Sequence, residues 1–535
     1  MQSYWTVVGI DMNKKKWARA ALIGLVGMGG AVSHLHDAWS EPLTFAVIGD
    51  FGSGDPTTAG RVAEMIGSPA WGTDFVVTTG DNNYGLIDVG AAGDWDAAVG
   101  QFYGDYTQAR SDGAYPNQTG STQRFFPTIG NHDSTETGTG QTGRTGGINP
   151  GFVDYFQTDP ARPDGRLPAG VIENDQVYYD FQQGDARFFV LDSDHARVDP
   201  NLLETEKTWL REGLENSTAT WNFVTLHHSP YSSSAVHGNN GFMQWPFAEW
   251  GVDAVFGGHD HTYERNVRLG VPYFVSGLGG KTAYAFGAPN FFSEVRYNEQ
   301  FGAMRVTVDA ETATFDFLSI DDGAEGANGG QLVDRFRIDK SEPRPEPTVL
   351  LPRGSTWSYL DNGSDLGTDW KGVGFPPSST WAFGSAELGY GDGDETTTVG
   401  CGPSAPACDA GNFATTYFRT TFQVDPTSLE GVGRILLEMV HDDGAAVYLN
   451  GTEVARNRLA DGAAFDEFAT RSVSGDKRET EFVPFAIDPA LLVPGENVLA
   501  VEIHQASANS SDVSFDLQLT TDFAPLPPPA LTLLP

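Results

Sequence analysis

At 535 residues the chain exceeds what one hydrophobic core organises, so two or more domains are expected. Asp and Glu number 71 against 32 Lys and Arg, a formal charge of -39. That balance excludes nucleic acid and anionic lipid as natural partners, and it requires any anionic substrate to be met by locally bound cations.

In chain order, the first feature is "MNKKKWARAALIGLVGMGGAV", from Met12, which joins a basic end to an apolar run, Ala20 to Val32. It reads as a signal peptide, with Ala38-Trp39-Ser40 as a small-x-small cleavage site. The run is short for a membrane span, so a secreted protein without a stable membrane span is expected. The two cysteines, Cys401 and Cys408, are close enough in sequence to pair in an oxidising compartment.

After this leader (residues 1–40) strand-like and helix-like segments alternate. "LTFAVIGD" reads as a strand, "TTAGRVAEMIG" as a helix and "DFVVTTGD" as a strand. "DWDAAVGQFYGDY" reads as a helix and "RFFPTIGNHD" as a strand and turn. A hairpin follows in "QVYYDFQQGDARFFVLDSD", then a helix in "LLETEKTWLREGLE", then strands "WNFVTLHHSP" and "VDAVFGGHDH". Such alternation predicts an α/β core. From about residue 271 the pattern is all-β. "KSEPRPEPT" is a Pro-rich break, beyond which short strands separated by Gly, Asp and Asn turns predict a second, all-β sandwich. The expected division is a catalytic domain over 41–340, a linker over 341–348, a β-sandwich module over 349–523 and a Pro-rich tail over 524–535.

Almost every core strand of the first domain ends in a potential metal ligand: Asp50, Asp81, then Asn131, His132 and Asp133, then His227 and His228, then His259 and His261. One strand-end Asp is ordinarily a turn residue or helix cap. Five such ends in order, built only of acids, Asn and His, are not explained by turns. Carboxylate and imidazole suit Zn, Fe or Mn. The number of donors exceeds one shell with an open position, so two ions are expected, with Asp81 as the bridge.

These blocks, Asp50, Gly80-Asp81-Asn82-Asn83-Tyr84, Gly130-Asn131-His132-Asp133, His228-Ser229-Pro230 and Gly258-His259-Asp260-His261, resemble the five-block signature of metallophosphoesterases (calcineurin-like), and more narrowly the purple acid phosphatase branch. The superfamily places a histidine two residues after its first Asp, where this chain has Gly52, and the purple branch instead has a tyrosine three residues after its second Asp, here Tyr84. The resemblance covers roughly residues 43 to 320. It implies a four-layer β-sandwich flanked by helices. It also implies a ferric site of Asp50, Asp81, Tyr84 and His261 beside a divalent site (Fe, Zn or Mn) of Asp81, Asn131, His228 and His259. The family ligand stands in a His-x-Pro context, which selects His228 and leaves His227 as a packed neighbour. His132 and His237 match the family's outer histidines and are expected to act on the phosphate and the leaving alkoxide. Asp133 and Asp260 are expected to support histidines, while Asp192 is structural and His195 has no assigned role. The implied activity is that of an acid phosphatase, with a metal-bound hydroxide attacking a small phosphate monoester. A phosphodiesterase or nucleotidase of the same superfamily is the alternative.

The stretch "LLEMVHDDGAAVYLNGTEVAR" resembles a hairpin of galactose-binding-like and related jelly-roll domains. That likeness implies a glycan- or polymer-binding module and calcium in acidic loops such as "GDGDET" or "HDDG". It raises the further alternative of a glycan-binding surface protein with an accessory phosphatase domain. A binding protein with a dead phosphatase domain would be expected to have lost ligands, and here none is missing.

Overall fold

In the computed structural model of the chain, the residues described are 42–52, 55–85, 95–110, 112–134, 150–156, 172–173, 176–320, 330–341, 346–391, 393–403, 408, 411–473 and 482–523. The expected leader, residues 342–345 of the linker, the Pro-rich tail and the Gly/Thr-rich stretch after Ser134 lie outside them.

The first sandwich consists of two mixed sheets. One runs, edge to edge, Gln331–Asp339, Thr312–Ser319, Gly302–Val308, Leu43–Ile48, Phe75–Thr78 and Phe125–Phe126. The other runs Ser293–Tyr297, Tyr263–Arg268, Val271–Ser276, Ala254–Gly258, Trp221–His228, Ala186–Val190 and Tyr179–Gln183. The strands that carry the motif blocks pair in parallel: Leu43–Ile48 with Phe75–Thr78, Phe75–Thr78 with Phe125–Phe126, and Trp221–His228 with Ala254–Gly258. Parallel neighbours end at the same edge of a sheet, so the residues after them emerge together.

The space between the sheets is filled largely by phenylalanine. The Phe223 ring centroid lies 5.7 Å from that of Phe45, 5.3 Å from Phe188, 5.8 Å from Phe256 and 6.1 Å from Phe315. The helix Pro200–Glu215 covers the outer face of the second sheet, placing Leu210 and Leu214 against Phe189, Val224 and Leu226. It starts on a cap in which Asp199 accepts the Asn201 and Leu202 amides, with Pro200 in the first turn. The helix Ala59–Ile66 lies against the first sheet. Helix, sheet, sheet, helix is the four-layer α/β architecture expected. The segment expected as a helix from Asp94 is helical over the described residues 95–106, but irregularly so: a π turn over Asp96–Gly100, an α turn over Gln101–Tyr103 and a 3-10 turn over Gly104–Tyr106. A Cβ on Gly100 would meet Asp96 Oδ1 and one on Gly104 the Asn117 carbonyl, and glycine is a poor helix former.

The second sandwich is all-β. Its sheets are Thr397–Thr398, Leu388–Tyr390, Val513–Asp522, Arg434–His441 and Val483–Ile487, with Val349–Leu351 also on Val513–Asp522, and Ala382–Ser385, Thr356–Leu360, Thr415–Val424, Gly495–His504, Gly444–Leu449 and Thr452–Asn457. Cys401 and Cys408 form a disulfide. Among the described residues no helix is long and apolar enough to cross a membrane. The two sandwiches belong to one compact unit and share a packed boundary in which Leu436 of the second joins a core cluster of the first.

Phe223 touches rings from both sheets, so Phe223→Ala should lower stability by about 3–5 kcal/mol. The check is the midpoint shift in a urea titration followed by tryptophan fluorescence.

Candidate metal centre

The candidate ligands leave their strands at abrupt turns. Asp50, Asp81 and His259 adopt left-handed backbone, with φ of 56°, 54° and 71°. Non-glycine residues hold that conformation only where surroundings enforce it, at a cost of about 1–3 kcal/mol each. Here the turns hold one another: the Asp50 amide donates to the Gly80 carbonyl at 3.1 Å, Gly52 N–H to the Asp81 carbonyl at 3.2 Å, and His259 N–H to Asp50 Oδ2 at 3.1 Å. Close approach also explains two glycines. A Cβ on Gly52 would lie 2.2 Å from the Asn82 carbonyl carbon, so nothing larger fits where the wider superfamily carries histidine; a Cβ on Gly80 would lie 2.5 Å from His227 Nδ1.

The side chains converge as two groups meeting at Asp81. In one, the Tyr84 hydroxyl lies 3.1 Å from Asp50 Oδ1 and 3.0 Å from His261 Nε2, and His261 Nε2 lies 3.5 Å from Asp50 Oδ1. In the other, His227 Nε2 lies 2.9 Å from Asn131 Oδ1, 3.1 Å from His259 Nδ1 and 3.4 Å from Asp81 Oδ1. Asp50, Asp81 and His227 present ligand atoms within 4.8 Å of one another, all buried.

The doublet thus divides opposite to the sequence assignment. Along Trp221–His228, Phe223, Thr225 and His227 face the space between the sheets, where Thr225 Oγ1 donates to the Thr78 carbonyl at 3.0 Å. Val224 and Leu226 face the outer helix layer. The register with Ala254–Gly258 shifts between Thr225 and His228, and the His228 ring packs 4.4 Å from that of His259 rather than against the Asp81 and Asn131 oxygens. Ser193 Oγ accepts the amides of His227 and His228 at 3.1 and 3.0 Å, and its hydroxyl has His228 Nδ1 at 3.1 Å. An oxygen already accepting two amides gives its proton to Nδ1. His228 then carries its own proton on Nε2 and has no lone pair to offer.

The tautomers of His227 and His261 are set the other way. Nδ1 of His227 faces the Thr79 carbonyl at 2.8 Å, and Nδ1 of His261 faces the Thr282 carbonyl at 2.8 Å. A carbonyl only accepts, so each ring donates there and turns the lone pair of Nε2 inward. His227 Nε2 consequently faces the oxygens of Asn131 and Asp81, acceptor toward acceptor. Bound cations satisfy such an arrangement, and the donor set of carboxylate, phenol, amide oxygen and imidazole is that of a hard or borderline transition metal.

Protonation follows burial and charge. Burial and the neighbouring Asp81 push the Asp50 carboxyl well above the usual range. Burial also raises Asp81, but His227, His132 and the His132 amide outweigh it and hold that carboxyl low. Burial, with Asp50 and Asp81 nearby, raises the Tyr84 phenol far above 10.0. Burial drives His261 down to about 4 and His259 well below 6.5, so both rings stay neutral donors in mild acid.

His132 and His237 flank the centre. The His132 amide donates to Asp81 Oδ1 at 2.9 Å, and its ring lies 4.6 Å from that of Tyr84. His237 is exposed and stacks on His259 at 3.8 Å. Asp133 and Asp260 support backbone rather than imidazoles. Asp133 accepts the amides of Asn82, Asn83 and Gly130 at 3.1, 3.0 and 2.9 Å, tying two ligand-bearing turns together. Asp260 accepts those of His237 and Gly238 at 3.3 and 3.2 Å. Asp192 holds His195 Nδ1 at 2.6 Å and caps the turn Ser193–Ala196, a structural role. Sequence reasoning passed over Lys281, whose ammonium lies 4.3 Å from the Tyr84 ring centroid, and Tyr284, stacked on His261 at 3.9 Å. Neither belongs to a ligand block, and only the fold brings them here.

Residues 43–263 match the calcineurin-like phosphoesterase family, and the chain carries that family's domain there. Within the family, the chain is 31% identical over 123 residues to purple acid phosphatase 23 of Arabidopsis thaliana, a match spanning 20% of this chain and 26% of that protein. Among solved structures, purple acid phosphatase PPD1 from yellow lupin (Lupinus luteus) aligns with a TM-score of 0.41 at 18% identity, over 56% of this chain and 54% of that one. GAP50, the anchor in the inner membrane complex of Plasmodium, aligns with a TM-score of 0.41 at 17% identity, over 56% of this chain and 89% of that one. The family match and the Arabidopsis relative bear out the resemblance stated from the five blocks.

The tautomer argument separates the two adjacent histidines. His227→Ala should lose one of two bound metal equivalents, whereas His228→Asn, removing the neighbour, should retain both. Elemental analysis after exhaustive dialysis distinguishes them.

Proposed function

We propose that the protein is a secreted phosphoesterase with a dinuclear metal centre, hydrolysing phosphate monoesters in the manner of acid phosphatases. The observation that carries this reading is the convergence of inward lone pairs in two groups that share Asp81. Asp50, Asp81, Tyr84 and His261 would hold a ferric ion, because two carboxylates and a phenolate suit a trivalent charge. Asp81, Asn131, His227 and His259 would hold a divalent ion (Fe, Zn or Mn), the neutral amide keeping that side less negative. When bound, such a pair neutralises charge on phosphoryl oxygens and makes water a nucleophile near neutral pH.

The remaining work belongs to the chain. His132, beside Tyr84 and tied to Asp81 by its amide, would donate to a free phosphoryl oxygen. His237, exposed and stacked on His259, would protonate the departing alkoxide. The ring face turned toward His259 is desolvated although the residue is exposed, which lowers its pKa from 6.5 against the opposing Asp260 charge, so the proton-carrying form gains population as pH falls. A general acid must carry its proton, which favours an acidic working range. The Cys401–Cys408 disulfide suits an oxidising, extracellular setting.

Two measurements test this reading. Tyr84→Phe should abolish a visible phenolate-to-iron absorption band while leaving the far-ultraviolet spectrum unchanged; active wild type without iron refutes the ferric assignment. His237→Ala should retain both metals and slow alkyl phosphate hydrolysis by roughly 10²–10⁴-fold, with a much smaller effect on nitrophenyl phosphate, whose leaving group needs no proton. Equal loss on both esters removes His237 from that role.

A further inference from the structure

We propose that the C-terminal sandwich is a working part of the metal centre, with Glu438 as a positioning residue for the histidines. The proposal rests on the phosphoesterase reading above. The strand Arg434–His441 is buried along its whole length. Ile435, Leu437 and Met439 enter its own sandwich core. By alternation Arg434, Leu436 and Glu438 take the opposite face, and that face meets the first sandwich. Leu436 packs in the cluster that contains Tyr231, Tyr273 and Phe292. The Arg434 guanidinium lies 4.9 Å from the Phe291 ring centroid and is fixed by Asp522 at 2.6 Å.

Glu438 Oε2 accepts from Arg268 Nη2 at 2.6 Å, and the two residues are 5% and 7% exposed. Arg268 ends the strand Tyr263–Arg268, which begins two residues after His261. From the same strand, Asn266 Nδ2 donates to the Tyr231 carbonyl at 3.2 Å. The Tyr231 ring meets Tyr273 at 4.9 Å and Phe292 at 5.0 Å, and the Arg268 guanidinium lies 5.9 Å from the Phe292 centroid. Tyr231 stands four residues after His227 and six before His237. The segment bearing His227 and His237 and the segment bearing His259 and His261 are therefore joined at Tyr231 and Arg268. The negative charge required at that junction is supplied by Glu438, from the other sandwich.

A desolvated guanidinium that loses its carboxylate draws in water or turns outward. Either movement displaces Tyr231 and the turn it anchors, and leaves Asp260 alone to hold the His237 amide. The buried pair thus connects the second sandwich to the spacing of the histidines, at a distance from any substrate.

The test uses the full chain carrying Glu438→Ala, Glu438→Gln and the double substitution Arg268→Met with Glu438→Met. Each is measured at a temperature where circular dichroism shows it folded. Two readouts are taken: kcat and KM on an aryl phosphate, and retention of the second metal equivalent against chelators of graded strength. Glu438→Ala should lower kcat about tenfold with KM within twofold, and should release the second metal to a weaker chelator. The Met pair, which removes both charges and keeps the volume, should restore both properties. If Glu438→Ala does not fold, Glu438→Gln carries the test with the same signs. A folded variant with kcat and metal retention within twofold of wild type overturns the proposal, as does a Met pair as impaired as Glu438→Ala. An inactive wild type would instead refute the phosphoesterase reading, and metal retention would still decide the role of Glu438.

Discussion

Two carboxylates, Asp50 and Asp81, are buried side by side among lone-pair donors, and the rest of the first sandwich answers to that constraint. At an effective dielectric near 20, two unit charges about 4 Å apart repel by about 4 kcal/mol, so the pair is tolerable only with cations or shared protons. Hydrogen bonds around the centre do not neutralise it. They orient it: the Thr79 and Thr282 carbonyls fix which imidazole nitrogen faces inward, and Asp133 locks the backbone of both Asn82–Asn83 and Gly130. Orientation by main-chain groups on parallel strands gives the donors a geometry that exists before any ion arrives, and such preorganisation is what sites of this kind require.

The overall acidity then acquires a local meaning. A chain with a formal charge of -39 repels anions at long range, but surface charges are screened over roughly 8–10 Å. Attraction of a phosphate must come from within that distance. The bound cations would supply most of it, and Lys281, held over Tyr84, adds a fixed positive charge at the phenol side of the centre. The rest of the surface is free to be acidic without cost to the chemistry.

Much of this was legible in the sequence because the motif residues sit at strand ends, where a run of apolar residues stops on an acid, an amide or a histidine. The α/β core and the strand-end donors follow from period and order, whereas the four layers, Tyr84 and His237 came only with the family resemblance. The local His-Ser-Pro context favoured His228, whereas the fold brings His227 beside Asp50 and Asp81; the register shift between Thr225 and His228 that separates the two rings has no sequence signature. Asp133 and Asp260 were placed with the histidines, whereas their partners are backbone amides and, for Asp133, the Asn82 side-chain amide as well. Lys281 and Tyr284 lie outside every block and reach the centre only through the turn after Val271–Ser276.

The boundary between the sandwiches shows the same limit from another side. A Pro-rich, charged stretch is a sound signal that the chain changes direction and that two cores are covalently separable. It carries no information on whether the cores afterwards pack together. The relevant signal lay further on, in "RILLEMVH". A strand of an exposed sheet alternates apolar and polar residues, whereas one buried on both faces reads apolar nearly throughout. In that run Glu438 is the lone acid, and an acid in a two-faced buried strand needs a cation brought to it. Arg268, in a buried strand of the other sandwich that also carries Glu264 and Arg265, is the cation that meets it. A buried acid whose partner cation lies in the other core is the form in which a packed boundary between modules can be written in a single chain.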